Sequence, residues 1–284
     1  LLRHAHNRNE VMVTLVFGTD RFRRKKEFAC ALVHKHPEIK TVAWQLNDEK
    51  TSMVLSDNAI RILYGDGYIE DEICGLHFRI TPSSFFQINR SQTEVLYETA
   101  MRMASLRGNE RVLDAYSGTG TIALIASGKA GRGVAVEENS AAVQIAKENA
   151  RLNGIENVDF VSADASLFCK EAAKKGVKFD AAFLDPPRSG CDERFLSSLI
   201  KMGPDKIVYI SCNPETQARD IRYLKNFGSY YVRRIQGVDM FPRTSHIESV
   251  ALLTKAPELK EEDRTFTGKR KYHDGGERKY SRRR

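Results

Sequence analysis

The stretch Val112-Leu-Asp-Ala-Tyr-Ser-Gly-Thr-Gly-Thr121 decides the fold. It reads as a strand, a glycine turn and the start of a helix. Glycines let backbone approach a ligand closely, and free N–H groups at a helix start favour an electron-rich group. Outward from this unit the pattern alternates. Strands are expected at 112–116, 133–137, 158–163, 179–185 and 206–211, with helices at 121–127, 140–153, 165–175, 193–202 and 214–227 between and after them. Runs such as Val134-Ala-Val136 and Ala181-Ala-Phe-Leu184 do not alternate, as expected when both faces of a parallel sheet are buried. Residues 230–240 and 247–254 read as a closing hairpin on that sheet. The fold class is α/β, with a doubly wound sheet.

Residues 1–85 follow another pattern. They offer a strand at 11–17, a helix-like stretch at 21–35 and extended segments at 41–46, 52–55, 59–64 and 76–80, with a Gly65-Asp66-Gly67 turn. This is an α+β subdomain. A helix follows, starting near Asn89 or Ser91, running to Leu106 and closed by Gly108. Three regions are therefore expected: 1–85, a main domain at 86–255, and a tail at 256–284. The chain opens on Leu1 in mid-pattern, which fits a piece of a longer protein or a naturally shorter one.

Composition narrows the class. Hydrophobic content of 41% with 29% charged residues is that of a soluble globular protein. No apolar run approaches the roughly 18 residues that span a bilayer, and no signal-peptide pattern occurs. The five cysteines, Cys30, Cys74, Cys169, Cys191 and Cys212, are scattered without a CxxC pair, so neither a zinc site nor a disulfide framework is expected. A reduced, cytoplasmic protein follows. The net charge of +8 is concentrated at the end: residues 264–284 carry nine Lys or Arg against Asp274 and Glu277, leaving about +1 for the rest. That segment is almost free of aliphatic residues and reads as a disordered tail with nonspecific phosphate affinity or a solubilising role.

Around the glycine turn the residues suggest a cofactor. Glu137 ends the second strand, where a carboxylate can take both hydroxyls of a ribose. Gly118, Gly120 and Ala123 also fit a dinucleotide fingerprint. Asp114, just before the glycines, would repel a pyrophosphate but suits the ammonium of a methionine-derived cofactor. Asp164 ends the third strand, positioned for an adenine amino group. The Glu–Asp pair favours S-adenosylmethionine over NAD.

The fourth strand ends in Asp185-Pro-Pro-Arg-Ser-Gly190, where two prolines fix the backbone and present Asp185 to the rim. The fifth ends in Ile207-Val-Tyr-Ile-Ser-Cys-Asn-Pro214. A lone cysteine is more often a small buried hydrophobe than a reactive group. Here Asp114, Glu137, Asp164, Asp185 and Cys212 close successive strands at one edge, which implies one site. Carbon 5 of uracil is too weak a nucleophile to take a methyl group unaided, and thiolate addition at carbon 6 makes it reactive. The carbon 5 proton must then leave to a base. Ser245-His-Ile-Glu-Ser-Val250 supplies Glu248 as the chain enters its last strand, with His246 on the same side if the stretch is extended.

The ordered set Phe85-Phe-Gln-Ile-Asn89, Asp114-Ala-Tyr-Ser-Gly-Thr-Gly120, Asp185-Pro-Pro-Arg-Ser-Gly190, Ser211-Cys-Asn-Pro214, Val238-Asp-Met-Phe-Pro242 and His246-Ile-Glu248 resembles the RNA uridine-5-methyltransferases, over about residues 1–255. The resemblance is closer to the bacterial 23S rRNA branch than to the tRNA branch. It implies a class I S-adenosylmethionine-dependent methyltransferase sheet behind an RNA-facing N-terminal subdomain, with 23S rRNA or tRNA as partner and base flipping of the target. It implies Cys212 as nucleophile and Glu248 as base, with Gln87, Tyr116, Thr121, Glu137, Asp164 and Asp185 around the cofactor; Asp185 also faces the target ring. Arg188 and Arg243 are candidates for RNA phosphates, whereas Phe85, Phe86 and Phe241 read as packing groups. Family members often carry an N-terminal OB-like domain and a four-cysteine iron–sulfur motif; neither occurs here, so no metal cluster is expected. An RNA cytosine-5-methyltransferase would place its cysteine directly after the Asp-x-Pro proline, where this chain has Arg188, with Cys191 three residues on. A noncatalytic RNA-binding module would have lost Cys212, Glu248 or the glycine turn. An NAD-dependent oxidoreductase leaves Cys212 and Glu248 without roles.

Overall fold

A computed structural model describes residues 1–50, 54–56 and 58–255; the basic tail expected at 256–284 lies outside the described residues. The chain opens with β1 (Leu2–Ala5), β2 (Glu10–Phe17), α1 (Lys25–Lys35), β3 (Ile39–Leu46) and β4 (Arg61–Tyr64). They form a four-stranded sheet in the order β1-β2-β3-β4. β2 and β3 are parallel, and α1 provides the crossover that a parallel pair requires. Its Ala29 packs with Val13, Ile39 and Val42. The helix starts four residues later than the sequence pattern suggests. Arg21, Arg23 and Arg24 precede it, and cations oppose the positive end of the helix dipole. Of the extended segment expected at 52–55, residues 52 and 53 are not described and Val54-Leu55 form a bend.

β5 (Ile69–Ile73) and β6 (Leu76–Ile80) make a hairpin through Cys74 and Gly75, both in the left-handed region (φ 51° and 76°), as a two-residue hairpin turn requires. β5 is hidden in the sequence because its alternation is Ile-Glu-Asp-Glu-Ile, with the acid Asp71 on the buried face. Asp71 accepts hydrogen bonds from the backbone N–H of His6, Asn7 and Glu72, which is why a carboxylate is tolerated there. The hairpin bridges two layers. Ile69 and Ile80 pack with Ala5 and Met12 of the first sheet, whereas Ile73 and Phe78 join the core of the second.

The remaining elements are α2 (Arg90–Ala104), β7 (Arg111–Ala115), α3 (Thr121–Ser127), β8 (Arg132–Glu137), α4 (Ser140–Leu152), β9 (Val158–Ser162), α5 (Ala165–Lys174), β10 (Ala181–Leu184), α6 (Glu193–Met202), β11 (Lys206–Ser211), α7 (Pro214–Gly228), β12 (Tyr230–Val238) and β13 (Glu248–Lys255). The strands form one seven-stranded sheet in the order β12-β13-β11-β10-β7-β8-β9. β11, β10, β7, β8 and β9 are mutually parallel, so their carboxyl ends share one edge. The order reverses at β7, and ligands of open α/β sheets bind at such a switch point. Two apolar cores cover the sheet, one containing Leu96, Phe183 and Val208, the other Leu113, Phe195 and Tyr209. All four residues of β10 are buried, as the unalternating run required. The closing hairpin is inserted: β13 lies between β11 and β12 and is antiparallel to both. No described helix is long and apolar enough to cross a membrane.

The free edge of β6 is closed by side chains. Asn149 Oδ1 accepts from Arg79 N (2.8 Å), and Asn153 both accepts from His77 N (2.8 Å) and donates to His77 O (2.7 Å). Two asparagines one helical turn apart thus act as a short strand. Asn149 is fully buried, so Asn149→Ala leaves a desolvated N–H without its acceptor and is expected to cost about 1–3 kcal/mol. Urea denaturation measures this, with exposed Gln144→Ala as a control that changes stability by less than about 0.5 kcal/mol.

Candidate active site

At the carboxyl edge of the large sheet lies a cavity of about 700 Å³, within the usual range for small-molecule sites. The residues expected as nucleophile, base and cofactor enclosure all line it: Gln87, Tyr116, Thr121, Glu137, Asp164, Asp185, Cys212 and Glu248. The backbone explains how they arrive. Tyr116, directly after β7, takes a left-handed conformation (φ 66°), a strain that turns Ser117 and Gly118 toward the cavity. Gly118 N donates to Glu137 Oε2 (2.9 Å), so the carboxylate at the end of β8 holds the turn. Gly120 has no freedom to change: a Cβ there would lie 2.9 Å from Phe160 and 3.0 Å from Ala146. Asp164, just past β9, caps α5 by accepting from Leu167 N (2.8 Å).

Gln87 comes from the loop between β6 and α2. Asn89 fixes that loop twice, capping α2 through Gln92 N and donating to Met240 O (3.0 Å) in the β12–β13 connection. Phe86 packs against Phe78 as a core neighbour, with ring centroids 6.1 Å apart, and Phe241 packs on the same core. Phe85 departs from the packing role: it is 75% exposed and lines the cavity mouth. The loop turns tightly at Thr81–Ser84 and carries Phe85 away from the core, which its neighbour Phe86 fills.

Cys212 follows β11 in a loop closed by reciprocal bonds between Ser211 and Asn213, and Asn213 caps α7 through Glu215 N. The β11–β13 register runs from Lys206↔Thr254 to Ser211↔Ser249, so Cys212 and Glu248, the first residue of β13, each follow the last pair at the same end of the ladder. Half-buried Cys212 and 7%-exposed Glu248 line the same cavity at the sheet rim, near enough for the charge of Glu248 to act on the thiol. Burial, then the charge of Glu248, pushes the thiol above its ordinary value, and Arg188 opposes this. Burial also raises Glu248, again opposed by Arg188.

Arg188 ties three segments together. Its carbonyl accepts from Asn213 Nδ2 (3.2 Å) and Thr216 Oγ1 (3.1 Å), and its guanidinium donates to His246 Nδ1 (2.9 Å). His246 thus holds Arg188 from the loop that precedes β13. Arg243 is exposed and does not line the cavity. Further along the same loop, Asp220 accepts from Cys191 N (2.7 Å) and Tyr209 OH (2.7 Å), pinning the loop to α7 and β11. Cys191 itself is buried against Tyr209, and burial pushes its thiol up to about 12.

The cavity is acidic. Among the described residues, Glu137, Glu138, Asp164, Asp185, Asp192 and Glu248 line it against the single cation Arg188, which disfavours a pyrophosphate and suits a cationic ligand. Asp114 contributes from behind. It is 1% exposed, accepts from Ala123 N (2.9 Å) at the start of α3, and has no partner for its other oxygen. It therefore does not face the cavity as the sequence reading placed it. Tyr97 of α2 is a site residue that the sequence reading missed. Buried among core side chains, it lines the cavity, and the nearby charges of Asp185, Asp114 and Glu248 add to the burial that raises its hydroxyl. Its signal was a tyrosine at a core-facing helix position, where the hydroxyl needs polar company. Among the described residues no group of three or more His, Cys, Asp or Glu side chains is placed to hold a metal ion.

Residues 38–256 match the tRNA (uracil-5-)-methyltransferase family. The chain is 43% identical over 260 residues to an uncharacterized RNA methyltransferase of Caldanaerobacter subterraneus, covering 90% of this chain and 57% of that protein. It is 41% identical over 254 residues to another from Clostridium tetani, covering 89% and 55%. It thus spans about half the length of the curated relatives it matches. The crystal structure of Pyrococcus abyssi tRNA (uracil-54, C5)-methyltransferase in complex with S-adenosyl-L-homocysteine superimposes with a TM-score of 0.72 at 30% identity, covering 89% of this chain and 58% of that one. The M. jannaschii tRNA m1G37 methyltransferase, at 15% identity and TM-score 0.56 over 90% and 75%, shares the fold alone.

Burial, then the neighbouring Glu248, pushes Asp185 from its ordinary 3.8 up to about 7. A carboxyl raised in the folded state costs nothing while protonated below pH 4, and it destabilises progressively as pH rises toward its folded value. The melting temperature of Asp185→Asn minus that of the wild type is therefore expected to grow by a few degrees between about pH 4 and pH 7, then level off. A scanning-fluorimetry pH series measures the difference.

Proposed function

Because the chain belongs to the tRNA (uracil-5-)-methyltransferase family, we propose that it methylates carbon 5 of a uridine in RNA with S-adenosylmethionine as donor. The observation that carries the reading is a thiol and a carboxylate, Cys212 and Glu248, brought to the rim of one acidic cavity by the end of the β11–β13 ladder. The residues present fit the donor. Six carboxylates suit a sulfonium and an ammonium, Glu137 suits ribose hydroxyls, and Asp164 suits an adenine amino group. A Cβ at Gly118 would meet nothing within 4 Å, which leaves space for a ligand beside the turn. Gln87, Tyr116, Thr121 and Asp185 complete the enclosure. When bound, S-adenosylmethionine supplies an electrophilic methyl group.

The chain's own groups do the rest. Cys212 as thiolate bonds to carbon 6 of a uridine turned out of its stack, and the 5,6 π pair moves onto the carbonyl oxygen at carbon 4. Arg188 is the cation that favours the thiolate. Once carbon 5 carries the methyl group, Glu248 takes its proton, the electron pair re-forms the 5,6 double bond, and the carbon–sulfur bond breaks to return Cys212. Asp185, held beside Glu248 and partly protonated near neutral pH, is placed to donate to the ring. From the sequence motifs we put 23S rRNA first as substrate; the P. abyssi neighbour acts on tRNA uracil 54, which makes tRNA the second arm of the test.

Incubation with labelled S-adenosylmethionine and 5-fluorouridine-containing RNA is expected to trap a denaturation-resistant adduct with the wild type and none with Cys212→Ala. Glu248→Gln is expected to accumulate adduct on ordinary uridine and to turn over roughly 10²–10⁴-fold more slowly. Methylation by the wild type at another atom without an adduct overturns the mechanism. Mapping 5-methyluridine in rRNA and tRNA from a strain lacking the protein identifies the substrate.

A further inference from the structure

Five of the six residues 21–26 are cations, Arg21, Arg23, Arg24, Lys25 and Lys26, with Phe22 among them. They run into the start of α1, which has no side-chain cap and whose dipole disfavours positive charge at that end. The fold neutralises little of this. Lys25 pairs with Asp20 and Arg24 lies 3.7 Å from Glu27, whereas Arg21, Arg23 and Lys26 are exposed without an ion-pair partner among the described residues. Residues 1–263 carry a net charge of only about +1, so these five cations make a positive island on a body that is otherwise acidic. A cluster that opposes both its neighbours and its helix is not explained by stability.

Aromatic rings run through the island. Phe28 stacks edge-on with Phe22 (5.6 Å), Phe22 meets Phe17 (5.3 Å), and Phe17 meets Trp44 (6.5 Å). Lys25 lies 4.3 Å and Arg61 5.6 Å from the Trp44 ring centre, while Phe28 remains 44% exposed. Cations for phosphates, interleaved with ring faces for unstacked bases, are the combination that single-stranded nucleic acid requires. We propose that the 21–26 run with Phe22 and Phe28 is a docking surface for a single-stranded segment of the RNA substrate, separate from the cavity. The proposal rests on the reading of the chain as an RNA-modifying enzyme.

The test is fluorescence anisotropy of the full chain with a labelled single-stranded oligouridylate from 50 to 200 mM salt. Arg21→Gln/Arg23→Gln/Lys26→Gln is expected to bind about tenfold or more weakly at low salt, with the slope of log K against log salt shallower by about 2, near 0.7 for each phosphate that the variant no longer neutralises. Phe22→Ala is expected to weaken binding about tenfold with the slope unchanged, since stacking releases no counterions. Arg23→Lys should retain the wild-type slope, and urea denaturation shows that each variant is folded. A folded triple variant with wild-type affinity and slope overturns the docking surface. Adduct formation by the wild type on 5-fluorouridine RNA reports the chemistry separately. A wild type with the steep slope but no adduct leaves the docking surface standing and removes the methylation reading.

Discussion

The antiparallel ladder between β11 and β13 is the constraint on which the rim depends. Parallel strands bring residues to a shared edge only at their carboxyl ends, so a sheet of that kind gathers Glu137, Asp164, Asp185 and Cys212 by default. It has no means of setting a second residue directly opposite the thiol. An antiparallel strand begins where its neighbour ends, and β13 begins with Glu248. Backbone hydrogen bonds, which tolerate no slip of one residue without turning every side chain over, fix the register that brings Glu248 to the same rim as the thiol. Gln217 reinforces it by donating to the carbonyls of Tyr209 and Ser249 on the two strands.

The crowding of acids is the second consequence of this geometry. Like charges brought together away from water oppose ionisation: burial with repulsion from neighbouring acids raises Asp114 and Asp185, and burial raises Glu248. Arg188 lowers both Cys212 and Glu248, and its position is set by bonds to His246, Asn213 and Thr216. The rim thus gathers raised carboxylates around one fixed cation. A cationic ligand entering it would offset the concentration of negative charge there.

Much of this was legible in the sequence, for physical reasons. Strands buried on both faces leave unalternating apolar runs, and helices α3 and α6 fall on the residues that the pattern indicated. β1 and β5 escaped because a four-residue strand carries little pattern, and because Asp71 occupies a buried position through its hydrogen bonds. For the site, strand ends disclosed Glu137, Asp164, Asp185 and Cys212 from the residues themselves, whereas Gln87, Tyr116 and Thr121 came through resemblance. The left-handed turn at Tyr116 has no sequence sign, since tyrosine does not favour it. Asp114 was legible as a carboxylate beside the glycines but not as one aimed inward at α3, and Phe85 was not distinguishable from its partly buried, core-packed neighbour Phe86.

The asparagine pair of α4 has a consequence beyond the contacts it makes. An open strand edge is a template on which another chain can add itself, and natural proteins blunt such edges with charge, bulges or cover. Here the cover is two side-chain amides that imitate the missing strand while belonging to a helix. Asparagine is a poorer helix former than alanine or leucine, so α4 gives up some intrinsic helicity at Asn149 to keep β6 closed. A sequence chosen for the best helix would reopen the edge and exchange a slightly more stable helix for a chain prone to pair with its own copies.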